Sequence, residues 1–268
     1  MIPKVSRPKG RRVIPLEVRA NERVSPSFTR VTFGGDALDG FTGHGGDHAV
    51  RLFFPRTGQN GLWLPSLRND GWMAETLLQP TSRRPWVRTF TVRDHRPDLR
   101  ELDIEFALHG DAGPASAWAS RARPGDPAGI IGEGRTYLPP DDADRQLLVG
   151  DESALPAILS ILSSAPHTLT GHAFLEVPRT ADIRTGIPCP AGVELHWLPR
   201  DGSDTIPGTL ALETVRAHPD LGAPAYAWVA GESKLATGVR RHLTGERRMA
   251  KKHIGFYGYW RHGRASVG

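Results

Sequence analysis

The chain has 268 residues, 38% of them hydrophobic, and a formal net charge of +5. That is enough apolar material for one large domain or two modest ones with their own cores, and the Gly and Pro content suits short strands and turns without reaching the level of a disordered chain. A single cysteine, Cys189, excludes an internal disulfide and a cysteine-built metal site. The longest apolar stretch, "ALPAILSIL", is too short to span a bilayer, and "MIPKVSRPKGRRVIPLEV" lacks the apolar core of a signal peptide, so the expectation is a cytoplasmic protein with no membrane contact.

From about Val13 to Gly134 the chain reads as strands separated by Gly, Pro and Asp turns. "FTRVTF" puts Val31 and Phe33 on one side of a strand. "RTFTVR", residues 88–93, reads as a half-buried strand with Arg88, Phe90 and Val92 on one face and Thr89, Thr91 and Arg93 on the other. "LDIEFALHG" alternates Leu102, Ile104, Phe106 and Leu108 with Asp103, Glu105 and Ala107, and "RPDL" before it predicts a hairpin with the RTFTVR strand. Short antiparallel strands over this length suggest a small closed barrel. "GPASAWA" then reads as a helix start, with Pro114 at its first position.

The texture changes at "YLPPDDADRQ", a proline-rich acidic joint. "QLLVG" reads as a buried strand and "ESALPAILSIL" as a helix with Leu155, Ile158, Leu159 and Leu162 on one face. Strand-like "GHAFLEV" and "VELHWLP", helix-like "GTLALETVRAH", strand-like "AYAWVAG", a helix in "SKLATGVRRHL" and strand-like "HIGFYGYW" follow. Strands alternating with helices predict a parallel sheet covered on both faces. The expected organisation is a β-barrel domain over 1–140 and an α/β domain over 141–268 with a basic C-terminal tail.

An arginine, an aromatic ring and hydroxyls on one strand at a barrel rim suit a phosphate-bearing aromatic cofactor, because the guanidinium fork makes paired charge-assisted bonds to phosphate. Backbone N–H groups at a helix start add anion affinity. Taken singly, RTFTVR is an ordinary amphipathic strand, GPAS an ordinary helix start and His109 a turn or packing histidine.

In order, "RTFTVR", "HGDAGPASAWASRARPGD", "GDESALPAI", "WVAGES" and "YGYWRHGR" resemble the siderophore-interacting proteins, a branch of the ferredoxin–NADP reductase superfamily. The resemblance runs from about Ile14 to Arg264. It implies FAD held by the barrel domain through Arg88, Thr89, Phe90, Thr91, His109, Gly113, Ala115, Ser116 and Trp118. Arg88 would meet the pyrophosphate, residue 90 would stack on the flavin, and Thr91 would bond its ring or ribityl chain. The family usually has tyrosine where this chain has Phe90, which keeps the stacking and drops a phenol hydrogen bond.

The α/β domain lacks a G-x-G-x-x-G fingerprint. From chemistry alone, Asp151–Glu152 repels phosphate and reads as a solvated turn or helix cap. The resemblance implies instead that Asp151, Glu152 and Ser153, with Gly231 and Glu232 of "AGES", lie on the nicotinamide side of an NADPH or NADH site. Arg179 or Arg200 would suit a ribose phosphate and Glu176 a bare ribose hydroxyl; ferredoxin is an alternative donor.

Between Arg240 and Arg264 there are eight Lys or Arg residues against one acid, Glu246, interleaved with Phe256, Tyr257, Tyr259 and Trp260. A solvated helix face and a buried edge strand explain part of this. Nucleic-acid binding is not expected, since no recognised nucleic-acid module accompanies it. The resemblance favours a cationic, aromatic-walled bowl for an anionic ferric siderophore, with Arg51, Arg248 and Arg261 as its cations and Arg264 in reserve. A protein-bound metal is not expected from His44, Asp47 and His48 of "HGGDH" or from His253 and His262. The implied activity is an FAD-dependent reductase, a monomer, passing electrons from NAD(P)H to ferric siderophores; a general flavin diaphorase and a non-catalytic siderophore carrier are the rivals.

Overall fold

The structure, a computed structural model, describes residues 5–43, 45–109 and 113–264. They form two compact units: one takes residues 6–43 and 48–135, the other residues 45–47 and 136–264 together with Val5.

The first unit is a seven-stranded antiparallel sheet. Its strands are β1 (Ile14–Ser25), β2 (Phe28–Gly34), β3 (Ala49–Phe54), β4 (Trp86–Thr91), β5 (Asp94–Arg96), β6 (Glu101–Ala107) and β7 (Pro127–Gly134), in the order β4-β3-β7-β1-β2-β6-β5. The alternation seen in the sequence becomes an inner face: Val31, Phe33, Leu102, Ile104 and Phe106 all fall in one core cluster. Each fully buried phenylalanine contributes about 1.5–3 kcal/mol.

The predicted hairpin is different. β4 pairs with β3, in the register Arg51↔Thr89 and Leu52↔Arg88, while β6 pairs with the short β5. β4 and β5 are consecutive in the chain yet lie at opposite edges of the sheet. Just past β4, Arg93 N donates to Asp103 O of β6 at 2.8 Å. Two helices complete the unit: α2 (Pro114–Ala119), as expected, and α1 (Gly71–Leu77), which was not. Trp72 of α1 packs edge-on against Phe53.

The polar side of β6 is not solvated, contrary to its simple alternation. Asp103 and Glu105 are both buried. Asp103 accepts two bonds from Arg96, both at 2.8 Å, and one from Thr32 at 2.7 Å; Glu105 accepts from Arg30 at 2.8 Å and faces Arg93 at 3.8 Å. Burial pushes the Asp103 carboxyl up, but the hydrogen bonds from Arg96 and Thr32 and the charges of Arg96 and Arg30 outweigh it, leaving the pKa below the usual value.

The second unit is a five-stranded sheet, parallel throughout, in the order β10-β9-β8-β11-β12. Its elements are β8 (Arg145–Gly150), α3 (Leu155–Ser164), β9 (Thr170–Val177), β10 (Gly192–Pro199), α4 (Thr209–Ala217), β11 (Tyr226–Glu232), α5 (Ser233–Gly245) and β12 (Ile254–Trp260). α4 and α5 bury Ala211, Val215, Val239 and Leu243 against Leu147, Val149, Phe174 and Val229 of the sheet. α3 packs on β8 and β9 outside that cluster. It is buried on nearly every side, including Ala157 and Ile161, and not only along the stripe its spacing suggested. The strand order reverses between β8 and β11, the crevice where open parallel sheets take ligands.

The Asp103 network generates the first prediction. A depressed carboxylate contributes stability above its unfolded pKa and loses it as pH falls through the folded one. Urea denaturation of Asp103→Ala is expected to show a loss of about 3 kcal/mol at pH 7, because Arg96 and Thr32 lose their partner, and the deficit is expected to shrink below about pH 4.

Candidate cofactor and nucleotide sites

Within the antiparallel unit, Trp86, Arg88 and Phe90 share one face of β4. Arg56, just past the end of β3, lies over the Trp86 ring at 3.9 Å, and Arg88 approaches the same ring at 5.1 Å. Burial lowers the pKa of both guanidinium groups. The charge of Arg84 adds to this for Arg56, and that of Arg56 for Arg88. Positive charge is therefore gathered here at a cost that an anion would relieve. A cleft of about 590 Å³ opens beside this group, lined among others by Arg56, Trp86, Pro114, Ala117, Trp118 and Arg121. Two arginines, a half-exposed indole and an open cleft of this volume fit a pyrophosphate-bearing dinucleotide such as FAD.

The expected FAD residues divide by position. Phe90 is half-buried with its ring 4.5 Å from Phe106, so one side of it already packs on the core. Thr89 and Thr91 lie on the opposite face of β4, where Thr89 pairs in register with Arg51. Gly113 and Ala115 open α2 beside the cleft, and a side chain at Gly113 would meet nothing within 4 Å. Ser116 is buried, and its Oγ accepts the backbone N–H of exposed His109 at 2.9 Å, fixing the approach to α2. Trp118 is a core residue as much as a cleft residue: its ring packs against Phe33, Phe54 and Phe106. At six residues α2 is short, so the arginines supply most of the positive potential. Residues 110–112, between His109 and Gly113, lie outside the described residues.

Arg93, the second arginine of the RTFTVR motif, is spent on Glu105. Arg51 lies 3.3 Å from Glu133, which also pairs with Arg11 at 2.7 Å. Its guanidinium sits 5.5 Å from the Trp72 ring.

In the parallel unit the acidic turn stands at the end of β8, but it is not solvated. Asp151 is fully buried. Its Oδ1 accepts from Ser153 N at 2.9 Å and Ser153 Oγ at 2.6 Å; its Oδ2 accepts from Glu232 N at 2.6 Å and Trp260 Nε1 at 3.1 Å. Burial, with Glu152 beside it, pushes its carboxyl up to about 7 against the pull of these donors. Gly231 has φ 129°, and a Cβ there would stand 2.6 Å from the Asp151 carboxylate, so the close approach admits only glycine. Glu232 caps α5 through Lys234 N and accepts His262 N at 3.1 Å.

Glu152 forms a two-pronged pair with Arg200, at 2.8 and 2.9 Å; Arg200 also bonds Glu176 at 2.8 Å. Glu176, fully buried, accepts Gly208 N at 2.7 Å and Ala211 N at 2.8 Å at the start of α4. Arg200 and Glu176, both raised as candidates for the ribose, are bonded to each other within the fold. Arg179, just past the end of β9, is exposed.

The tail aromatics are also engaged by the fold. Trp260 holds Asp151, Tyr257 donates to Thr136 O at 3.1 Å, and Phe256 lies beneath Arg240 at 4.4 Å. The expected aromatic-walled bowl therefore loses most of its walls. Arg248 and Arg261 remain exposed in the parallel unit, Arg248 with φ 56°. In the HGGDH segment, Asp47 accepts from Thr136 and Tyr137 N–H groups while His48 stacks on Phe41; His44 lies outside the described residues. Sequence reasoning missed Arg56 and Arg121. Arg56 comes beside Trp86 only through the β3–β4 pairing, which the sequence pattern does not announce.

Comparison with known families settles the affiliation. A siderophore-interacting FAD-binding domain model matches residues 17–136, and a siderophore-interacting protein model matches residues 143–263. The chain belongs to the siderophore-interacting protein family. It is 34% identical over 256 residues to the ferric vibriobactin reductase ViuB of Vibrio cholerae, covering 94% of this chain and 92% of that protein. It is 32% identical over 236 residues to the NADPH-dependent ferric-chelate reductase of Escherichia coli, covering 86% of each. The crystal structure of the siderophore-interacting protein SipS from Aeromonas hydrophila superposes with a TM-score of 0.77 at 33% identity, over 96% of this chain and 93% of that one. The fold is ferredoxin reductase-like: the ferredoxin reductase of carbazole 1,9a-dioxygenase aligns with a TM-score of 0.67 at 13% identity, over 93% of this chain and 70% of that one.

The Arg200 assignment is open to direct measurement. Arg200→Ala leaves Glu152 and Glu176 buried without their cation and is expected to cost about 3–5 kcal/mol by urea denaturation. Arg179→Ala, at an exposed position, is expected to stay within about 0.5 kcal/mol of the parent.

Proposed function

We propose that this siderophore-interacting protein is an FAD-dependent ferric-siderophore reductase that draws electrons from NADPH. The observation that carries the reading is the Arg56–Arg88 pair set around Trp86 beside a dinucleotide-sized cleft, in a unit matching the family's FAD-binding domain. The chemistry FAD supplies when bound is hydride acceptance from a reduced nicotinamide and one-electron donation to the ferric chelate. Arg88 and Arg56 would hold the pyrophosphate, half-buried Phe90 would offer its uncovered side to the flavin, and Thr91 would supply a hydroxyl.

In the parallel unit, Asp151, Glu152 and Glu232 shape the crevice at the strand ends, with Ser153 and Gly231 between them. The acids are already bonded within the protein, so they position backbone for the nicotinamide more than they grip it. Exposed Arg179, just past the end of β9, would suit a ribose 2′-phosphate, in keeping with NADPH as the donor. Arg248 and Arg261, both exposed in the parallel unit, attract the anionic ferric chelate, whereas Arg51 is engaged by Glu133. No general base or nucleophile is required. No helix among the described residues is long and apolar enough to cross a membrane.

Arg88→Ala is expected to weaken FAD binding by about 10–100-fold, the loss of a charge-assisted contact, with the urea midpoint nearly unchanged. Flavin fluorescence titration reads this out; unchanged FAD affinity would remove Arg88 from the site, and a wild-type protein that takes up no flavin would favour a carrier.

The substrate cations are tested by the double variant Arg248→Ala/Arg261→Ala. Steady-state assays with NADPH are expected to show KM rising several-fold for anionic ferric chelates and little for neutral ones, with a weaker dependence on ionic strength. Equal effects on both classes would argue against the assignment.

A further inference from the structure

Three histidines of the parallel unit, on elements far apart in sequence, converge on one point. His172 lies near the start of β9, His196 sits on the edge strand β10, and His218 follows α4. Their ring centroids form a nearly equilateral triangle with sides of 5.3, 5.1 and 5.2 Å. One nitrogen from each ring falls within 4.8 Å of the other two, and His172 Nδ1 and His196 Nε2 are 3.1 Å apart. Two nitrogens on a tetrahedral ion with bonds of about 2.0–2.1 Å stand about 3.3–3.4 Å apart, so this spacing requires little adjustment.

The surroundings support a ligand. His218 Nδ1 is buried without a hydrogen-bond partner, an unsatisfied position that costs free energy unless something fills it. Fully buried Phe174 backs the group, stacked on His196 at 4.4 Å and edge-on to His218 at 5.4 Å. Glu194, on the solvent side, brings one carboxylate oxygen 3.6 Å from His172 Nδ1 and the other 3.7 Å from His196 Nε2. His218 also borders an open surface depression, together with Glu213, Thr214, Ala217 and Pro219. Packing alone would explain rings gathered on Phe174, and a hydrogen bond would explain the 3.1 Å approach of His172 and His196. Neither explains a third imidazole with a ligand nitrogen within 4.8 Å of both, a buried unpaired Nδ1 on that ring, and a carboxylate beside the first two.

We propose that His172, His196 and His218 form a site for a divalent first-row transition ion, with Glu194 as the fourth ligand or the group that orients the imidazoles. Neutral imidazole suits zinc and iron(II) alike, and the Irving–Williams order places zinc the tighter of the two. The site lies near the amino-terminal ends of β9 and β10. His172 is four residues, about 13 Å of strand, from Glu176, whose end of the sheet carries the candidate nucleotide crevice. The ion would tie the edge strand β10 and the end of α4 to β9. The inference is independent of the reductase reading.

The experiment uses full-length, tag-free, FAD-loaded protein, stripped with chelator and titrated with Zn²⁺ by calorimetry, then with Fe²⁺ under anaerobic conditions. One equivalent of Zn²⁺ is expected to bind with a Kd at or below about 1 µM, and Fe²⁺ more weakly. X-ray absorption is expected to show imidazole nitrogens at about 2.0 Å. His196→Gln and His218→Ala are each expected to weaken binding at least about tenfold, and Glu194→Gln by about tenfold. Retained FAD content and far-UV circular dichroism identify folded variants; His196→Gln, at a half-exposed edge-strand position, remains informative should His218→Ala misfold. Absence of stoichiometric binding, or binding undiminished in folded His196→Gln, would overturn the proposal.

Discussion

One buried carboxylate fixes the carboxyl ends of three strands. Asp151 gathers donors from its own turn, from the start of α5 and from the indole at the end of β12. Taking a carboxylate wholly out of water is costly, and four donors recover only part of that cost, which is why burial with Glu152 beside it keeps its pKa high. The rest of the crevice follows. Gly231 must be glycine to clear Asp151, and Glu152 must find its own cation, which Arg200 supplies while also holding Glu176 at the head of α4. The acids that the family resemblance associates with a nicotinamide are thus first of all the framework of the strand ends.

The antiparallel unit solves a different problem with the same means. Its two edge strands are neighbours in the chain, and the arginines near that junction are divided by role. Arg93 and Arg96 face inward carboxylates, whereas Arg56 and Arg88 face an indole and an open cleft. Guanidinium groups balanced by acids stabilise the sheet, while Arg56 and Arg88 stand beside an indole. Of the two arginines of the RTFTVR motif, it is the first that stands beside Trp86, which lines the cleft proposed for FAD.

Much of this was legible in the sequence because period and punctuation are local. The alternation in "LDIEFALHG" gave a strand, "GPASAWA" a helix, and the shift from alternating to mixed elements gave two architectures. Partner choice was not legible: a period of two says which face is inward but not which strand lies alongside, so β4 was assigned to β6 instead of β3. The burial of Asp103, Glu105, Asp151 and Glu152 was hidden for a related reason, since a charged residue reads as solvated until its arginine is brought in from a distant element. α1 escaped because seven residues carrying exposed Leu77 do not make a clear amphipathic stripe. The histidine triangle left no motif, because no two of its members share an element.

The sheet order has a consequence for how the protein comes to exist. β8 forms its central ladder with β11, and Asp151 waits for Glu232, 81 residues on, and for Trp260, 109 residues on. During synthesis the middle of the sheet stays open on one side until β11 and β12 have left the ribosome. Such long-range pairings close slowly and leave apolar strands uncovered in the meantime. The antiparallel unit, complete by residue 135, can consolidate well before that, so assembly would proceed from the amino-terminal half to a late, cooperative closure driven by the last strand.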